Sequence, residues 1–238
     1  MEFILMAALV LVASGVGTMT GFGTSTIMVP VLVPILGLPT TLLFVGIIHW
    51  FGNVWKIILF RQALRWRLIL LFAATGVPTT ILASWLVPQA PEAILSRVLA
   101  VLLIAYVAFI FYKPEFELTT RPRTTLIGGA VYGLGAGIFG IGGAIRSAFL
   151  SAYNLPKEVF IATAGAIGFA IDTARVSIYL SATTLPDWLG WGMLVFVPIS
   201  LLGAKLAQRI VHHLPQTRFR QMVAIFLFLI GIYLLISP

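Results

Sequence analysis

Cysteine is absent from this 238-residue chain, which excludes disulfides, thiol redox chemistry and thiolate metal sites. Carboxylates and imidazoles are scarce too, with seven Asp and Glu and three His in all. No paired-carboxylate site and no metal-binding cluster assembles from so few at workable spacing. The glycine clusters are not followed by Gly-Lys-Ser/Thr, so they are not phosphate loops. The sequence therefore reads as a non-enzyme, with no metal and no cofactor. Charge of either sign is thin: 9% of residues are Asp, Glu, Lys or Arg, against about 25% in ordinary globular domains. No stretch is polar and long enough for an attached soluble domain.

Apolar residues fill the space, at 60% of the chain with a mean hydropathy of +1.08. About 20 mostly apolar residues cross the roughly 30 Å of bilayer hydrocarbon. Hydrophobic segments run over residues 3–19, 24–36, 40–60, 68–87, 93–112, 125–139, 144–153, 159–180, 188–210 and 222–236. Lipid admits only helices or closed barrels, and runs of this length predict an all-α polytopic protein with 1–238 as one transmembrane domain. Met1-Glu2-Phe3 carries no basic n-region, so the first segment reads as a retained helix.

Net charge is +8, but the cations form no nucleic-acid patch. They collect in short loops: Arg61, Arg65 and Arg67; Lys113, Arg121 and Arg123; Lys205, Arg209, Arg218 and Arg220. That is the distribution that sets membrane topology. Segments 24–36 and 144–153 are too short to span easily, and each follows a glycine cluster. Setting Gly21-Phe22-Gly23 against Gly140-Ile141-Gly142 gives an interval of 119, which also sets Asn53 and Lys56 against Asp172 and Arg175. Pro78 then falls near the place of Pro198, and Ala83-Ser84 near Gly203-Ala204. The chain divides into repeat one (1–112), a linker (113–123) and repeat two (124–238), each a glycine-broken hairpin plus three long transmembrane helices. Basic loops fall after the second long helix of repeat one and around 205–220 in repeat two, while the loop at 181–187 has none. The repeats are therefore expected in inverted orientation, each glycine-broken segment entering and leaving on one side as a re-entrant or tight hairpin.

Gly15, Gly17, Gly21 and Gly23 precede Thr24, Ser25 and Thr26; Gly133, Gly135, Gly137, Gly140, Gly142 and Gly143 precede Arg146 and Ser147. Glycine takes backbone conformations closed to other residues, so a membrane helix can unwind there. One reading is close helix packing, as in the spacing Gly17-x-x-x-Gly21, and such small-residue surfaces also suit a homo-oligomer. The other is a substrate site, where helix N-termini at about Thr24 and Ala144 offer free N–H groups to an anion. Gly-interrupted segments at matching places in two halves favour the second reading.

Every ionisable residue inside a span needs a reason, since burying its charge costs at least ~2.5 kcal/mol. His49, Asn53 and Lys56 share one helix face; Gly168, Asp172, Arg175 and Tyr179 repeat the spacing. Lys56 and Arg175 are near enough to their helix ends to snorkel, Asp172 and Arg175 to pair at i,i+3, and His49 to be an ordinary bundle histidine. Lys56, Arg146 and Arg175 against Asp172 leave an excess of positive charge, which suits an anion rather than a cation. His212 and His213 belong to a basic loop and read as a solvated face.

Gly21-Phe22-Gly23-Thr24-Ser25-Thr26-Ile27-Met28-Val29-Pro30, then Gly140-Ile141-Gly142-Gly143 with Leu155-Pro156-Lys157 and Ala162-Thr163, resembles the TauE/SafE sulfite exporter family over essentially the whole chain. Arg146 stands where that resemblance leads one to expect an uncharged residue. The resemblance implies export of a small sulfur-containing anion, sulfite or an organosulfonate, across the cytoplasmic membrane and coupled to an ion gradient. The expected substrate-binding residues are Gly21, Gly23, Thr24, Ser25, Thr26, Asn53, Lys56, Gly140, Gly142, Gly143, Arg146, Ser147 and Arg175. Asp172 and His49 are the coupling candidates. The expected partners are a small anion and the lipid bilayer. A passive anion channel, a proton or cation antiporter using Asp172, and a membrane scaffold are the alternatives.

Overall fold

The computed structural model describes residues 2–86, 101, 104–105, 108, 112, 120–139 and 142–236. Most of the expected 93–112 segment, the linker positions 113–119, and Gly140 lie outside them. Among the described residues the chain is helical: α1 Glu2–Thr20, α2 Ser25–Leu36, α3 Leu38–Leu59, α4 Trp66–Leu86, α5 Pro122–Phe139, α6 Gly143–Ala152, α7 Lys157–Ala182, α8 Asp187–His213 and α9 Gln216–Ile236. One 3-10 turn, Arg61–Ala63, separates α3 from α4. Prolines mark the starts, since the first helical turn does not need their missing N–H. Pro39 opens α3, and Pro156 and Pro186 cap α7 and α8.

At 1.5 Å per residue, α2 and α6 reach only about 18 and 15 Å, too short for the hydrocarbon. Five of the longer described helices are long and apolar enough to cross a membrane, among them α3, α4, α7 and α8.

α4 and α5 pack along their length. Gly129, Gly133 and Gly137 form a bare stripe on α5, and a Cβ on any of them would collide with α4 backbone. That closeness lets threonines of α4 reach α5 carbonyls: Thr75 Oγ1 donates to Leu126 (2.6 Å), Thr79 to Ala130 (3.2 Å) and Thr80 to Gly133 (3.1 Å). The pairs ascend together, so the two helices run parallel. Close approach plus interhelical hydroxyls is how apolar solvent allows helices to bind. α1 packs on α8 in the same manner, with Gly203 against the Leu11 carbonyl. Gly17 works differently from the packing reading: it faces Gly23 and accepts that residue's N–H at 3.3 Å, inside one chain reversal.

α3 and α7 cross antiparallel at the centre. Gly46, early in α3, meets Val176 late in α7, whereas Gly165, early in α7, meets Lys56 late in α3. Between them Trp50 packs on Phe169, ring centroids 5.0 Å apart. At one end of the bundle Gln208 Nε2 donates to the Leu59 carbonyl (2.8 Å) and His212 lies against Phe60. The loop after α3 and the α8–α9 turn, both basic, thus share one face.

Candidate functional site

The chain reverses after α1 at Gly21 and Gly23, with φ of +76° and +86°, angles that cost most other residues about 1–2 kcal/mol. α2 then begins at Ser25 and α6 at Gly143, and the two short helices touch. A Cβ on Gly143 would strike the Phe22 carbonyl, so the first break rests directly on the start of α6. His49, at mid-length of α3, points its Nε2 at Gly23, which accommodates the ring only because it has no side chain.

Arg146 is wholly buried in this contact. Its Nη2 donates to the Gly21 carbonyl (2.7 Å) and its Nη1 to the Tyr132 hydroxyl (3.0 Å), with the guanidinium 5.2 Å above the Tyr132 ring. Among the described residues no carboxylate comes within ion-pair distance of it, and its Nε has no hydrogen-bond partner. Gly168, beside the guanidinium and the Asn53 amide, leaves room for both.

A second group crosses from α3 to α7. Asn53 Nδ2 donates to Asp172 Oδ2 at 2.7 Å, and Asn53 Oδ1 accepts from Lys56 Nζ at 3.2 Å. Arg175 donates to Asp172 Oδ1 at 2.9 Å and stands 5.8 Å over the Tyr179 ring. His49 Nδ1 lies 3.3 Å from Asp172 Oδ2, within ion-pair reach but off the hydrogen-bonding axis. Lys56 and Arg175 are 1% and 2% exposed, so neither snorkels. Asp172 and Arg175 do form the i,i+3 pair that their spacing allows.

The expected site residues therefore fall into two groups. Gly21, Gly23, Gly143, Arg146 and His49 meet at the glycine break, and Ser147 Oγ sits beside Gly21. Gly142 lies just before α6, packed on Tyr132. The hydroxyls of Thr24, Ser25 and Ser147 are buried with no hydrogen-bond partner, as are both His49 ring nitrogens. Leaving a buried polar group unmatched costs about 1–3 kcal/mol, and here several belong to the residues of one break. Asn53, Lys56, Asp172 and Arg175 form the second group and are bonded to one another. The Thr26 hydroxyl is likewise buried without a partner, and Thr26 lines an apolar cavity of about 440 Å³ with Thr20, Phe22, Gly23, Phe226 and Tyr233. Tyr132 is the residue that sequence reading missed. It sits 14 positions from Arg146, on another helix and across the second break, and no helical periodicity links them. Its one signal is a phenol within the Gly/Ala/Leu run at 128–137.

Helices of spanning length around a buried ionic centre define a multi-pass membrane protein. The chain belongs to the sulfite exporter TauE/SafE family, whose model matches residues 6–234. No curated protein matches it. The family is one of membrane exporters rather than enzymes.

Proposed function

We propose that this chain is a secondary transporter that exports a small sulfur-containing anion, sulfite or an organosulfonate, across the cytoplasmic membrane, using an ion gradient. The observation that carries this reading is a charge imbalance. Lys56, Arg146 and Arg175 are buried; among the described residues Asp172 is the one carboxylate in contact with the group, and Arg146 bonds only to neutral partners there. Uncompensated buried charge is costly, and an anion at the break would offset it. The unmatched Arg146 Nε and the hydroxyls of Thr24, Ser25 and Ser147 are its proposed ligands. Backbone N–H groups at the starts of α2 and α6 add their partial positive charge.

Two inverted repeats form the proposed scaffold, and the helix pairs support it. α3 starts at Leu38 and α7 at Lys157, the interval of 119 that also separates Asn53 from Asp172. Matching α1 to α5, α2 to α6, α3 to α7 and α4 to α8 turns the most extensive packed pairs into one another, as α1 on α8 becomes α5 on α4, and α1 on α2 likewise becomes α5 on α6. Equivalent helices crossing antiparallel favour an axis lying in the membrane plane. Two basic loops on one face fit the orientation expected from charge.

Asp172 is the proposed coupling residue, with His49 between it and the break. Protonating Asp172 removes the negative charge from the centre, so anion affinity rises as the carboxyl gains a proton. The deciding experiment is flux of sulfite, sulfate, thiosulfate, small organosulfonates and chloride in proteoliposomes, with and without a pH gradient. Saturable, gradient-driven sulfite or sulfonate movement supports the transporter reading. Conductive flux without coupling would identify a channel instead, and no anion flux from folded protein would leave a proton or cation antiporter or a scaffold.

A further inference from the structure

The turn between α8 and α9 holds a second charged feature, remote from the ionic centre. Arg209, Ile210, His213, Leu214, Pro215 and Arg218 wall an open notch of about 470 Å³, with no acidic side chain in its lining among the described residues. All three cationic or titratable groups are exposed. His213 Nδ1 donates to the Arg209 carbonyl at 2.8 Å, which holds the ring against the last turn of α8. α9 begins at Gln216, just past Pro215. The free N–H groups of its first turn add positive potential beside Arg218.

An apolar track leads into this notch. Leu202, Leu206 and Ile210 recur every fourth residue on α8 and are 55%, 52% and 50% exposed. They form one ridge along the helix, on the exposed side of a helix long and apolar enough to span a membrane. The head of the track is cationic and its length is hydrocarbon, about two helical turns of it.

The geometry points to a binding site for an anionic phospholipid, its phosphate between Arg209 and Arg218 and an acyl chain along Ile210, Leu206 and Leu202. Planar guanidinium forks match phosphate oxygens, and basic pockets at a membrane interface are suited to lipid headgroups. A free phosphate would use the arginines but gain nothing from the track. The same lipid would bridge α8 and α9 across their turn. That turn is tied to α7 by Lys157, whose Nζ donates to the His212 and Leu214 carbonyls at 3.2 and 2.7 Å.

Native mass spectrometry of the detergent-solubilised chain, titrated with dioleoyl phosphatidylglycerol and with dioleoyl phosphatidylcholine, tests this. The expected result is one tightly retained phosphatidylglycerol, preferred at least about fivefold over phosphatidylcholine. Arg209→Gln with Arg218→Gln is expected to abolish the preference. Arg61→Gln with Arg65→Gln, on the same basic face outside the notch, is expected to preserve it. Equal loss in both double variants would mean diffuse surface charge and overturn the site. Displacement of the lipid by glycerol phosphate at matching concentration would reduce it to an ion site and overturn the lipid. Melting curves in phosphatidylcholine nanodiscs, expected unchanged within a few degrees, guard against misfolding; Arg209→Glu with Arg218→Glu offers a second variant if the first is unstable.

Discussion

Asn53 and Asp172 are 119 positions apart in sequence and 2.7 Å apart in space, amide nitrogen to carboxylate oxygen. Each lies well inside its helix, α3 or α7, where the two cross. The Asn53 amide passes the contact on: one end donates to Asp172 while the other accepts from Lys56. A change in charge at Asp172 is therefore felt by Arg175 directly, by Lys56 through Asn53 and by the glycine break through His49.

Asp172→Asn mimics the protonated carboxyl. It is expected to keep saturable anion flux in proteoliposomes while losing its response to an imposed pH gradient. Flux that still follows the gradient as in the parent chain would remove Asp172 from coupling. Asp172→Ala is a different perturbation, because it removes the carboxylate from its buried pair with Arg175. Breaking a buried pair in this way costs about 3–5 kcal/mol, readable as a large fall in melting temperature in detergent.

Arg146→Lys keeps a cation but loses the planar fork that spans Gly21 and Tyr132. The expected outcome is a KM for the transported anion at least about tenfold higher, equivalent to roughly 1.4 kcal/mol. Tyr132→Phe keeps the ring beneath the guanidinium and removes only the acceptor oxygen. It is expected to raise KM by a smaller factor, on the order of threefold, given a net hydrogen-bond worth of about 0.5–1.5 kcal/mol. A Tyr132→Phe chain with unchanged KM would make the phenol a packing residue only.

Gly143→Ala places a methyl group into the Phe22 carbonyl. Neither partner is a flexible side chain, so the two breaks must separate, and overpacking of this kind costs about 1–3 kcal/mol. Lost transport with lowered thermal stability is the expected result. Gly190→Ala is the control: nothing lies within 4 Å of a Cβ there and the site is in the first turn of α8, so stability should hold or rise by a few tenths of a kcal/mol.

The chain has no native cysteine, which makes single-cysteine labelling a clean test of orientation. Arg61→Cys and His213→Cys share the basic face, so both are expected to react with an impermeant thiol reagent only after the membrane is opened. Asp187→Cys, at the start of α8, is expected to react from outside. Labelling of all three from one side would contradict the inverted arrangement.

The sequence by itself determined the membrane character and the course of the helices. Expected segments at 24–36 and 144–153 emerge as α2 Ser25–Leu36 and α6 Gly143–Ala152, and 40–60 as α3 Leu38–Leu59. These are local properties: apolar solvent demands satisfied backbone, so a long apolar run becomes a helix whatever surrounds it. The first glycine break was legible for the same reason, because the positive φ of Gly21 and Gly23 is a property of a residue and its neighbours. Only the tertiary structure decided which polar groups are matched. Asn53, offered by sequence as a donor to substrate, is used at both ends by Asp172 and Lys56, while Arg146 keeps an unmatched Nε beside Tyr132. It also decided what each glycine does, closing a reversal at Gly17, admitting α4 at Gly133 and making room for His49 at Gly23. Such assignments rest on contacts between residues far apart in the chain, and periodicity along one helix carries no information about the helix it will meet.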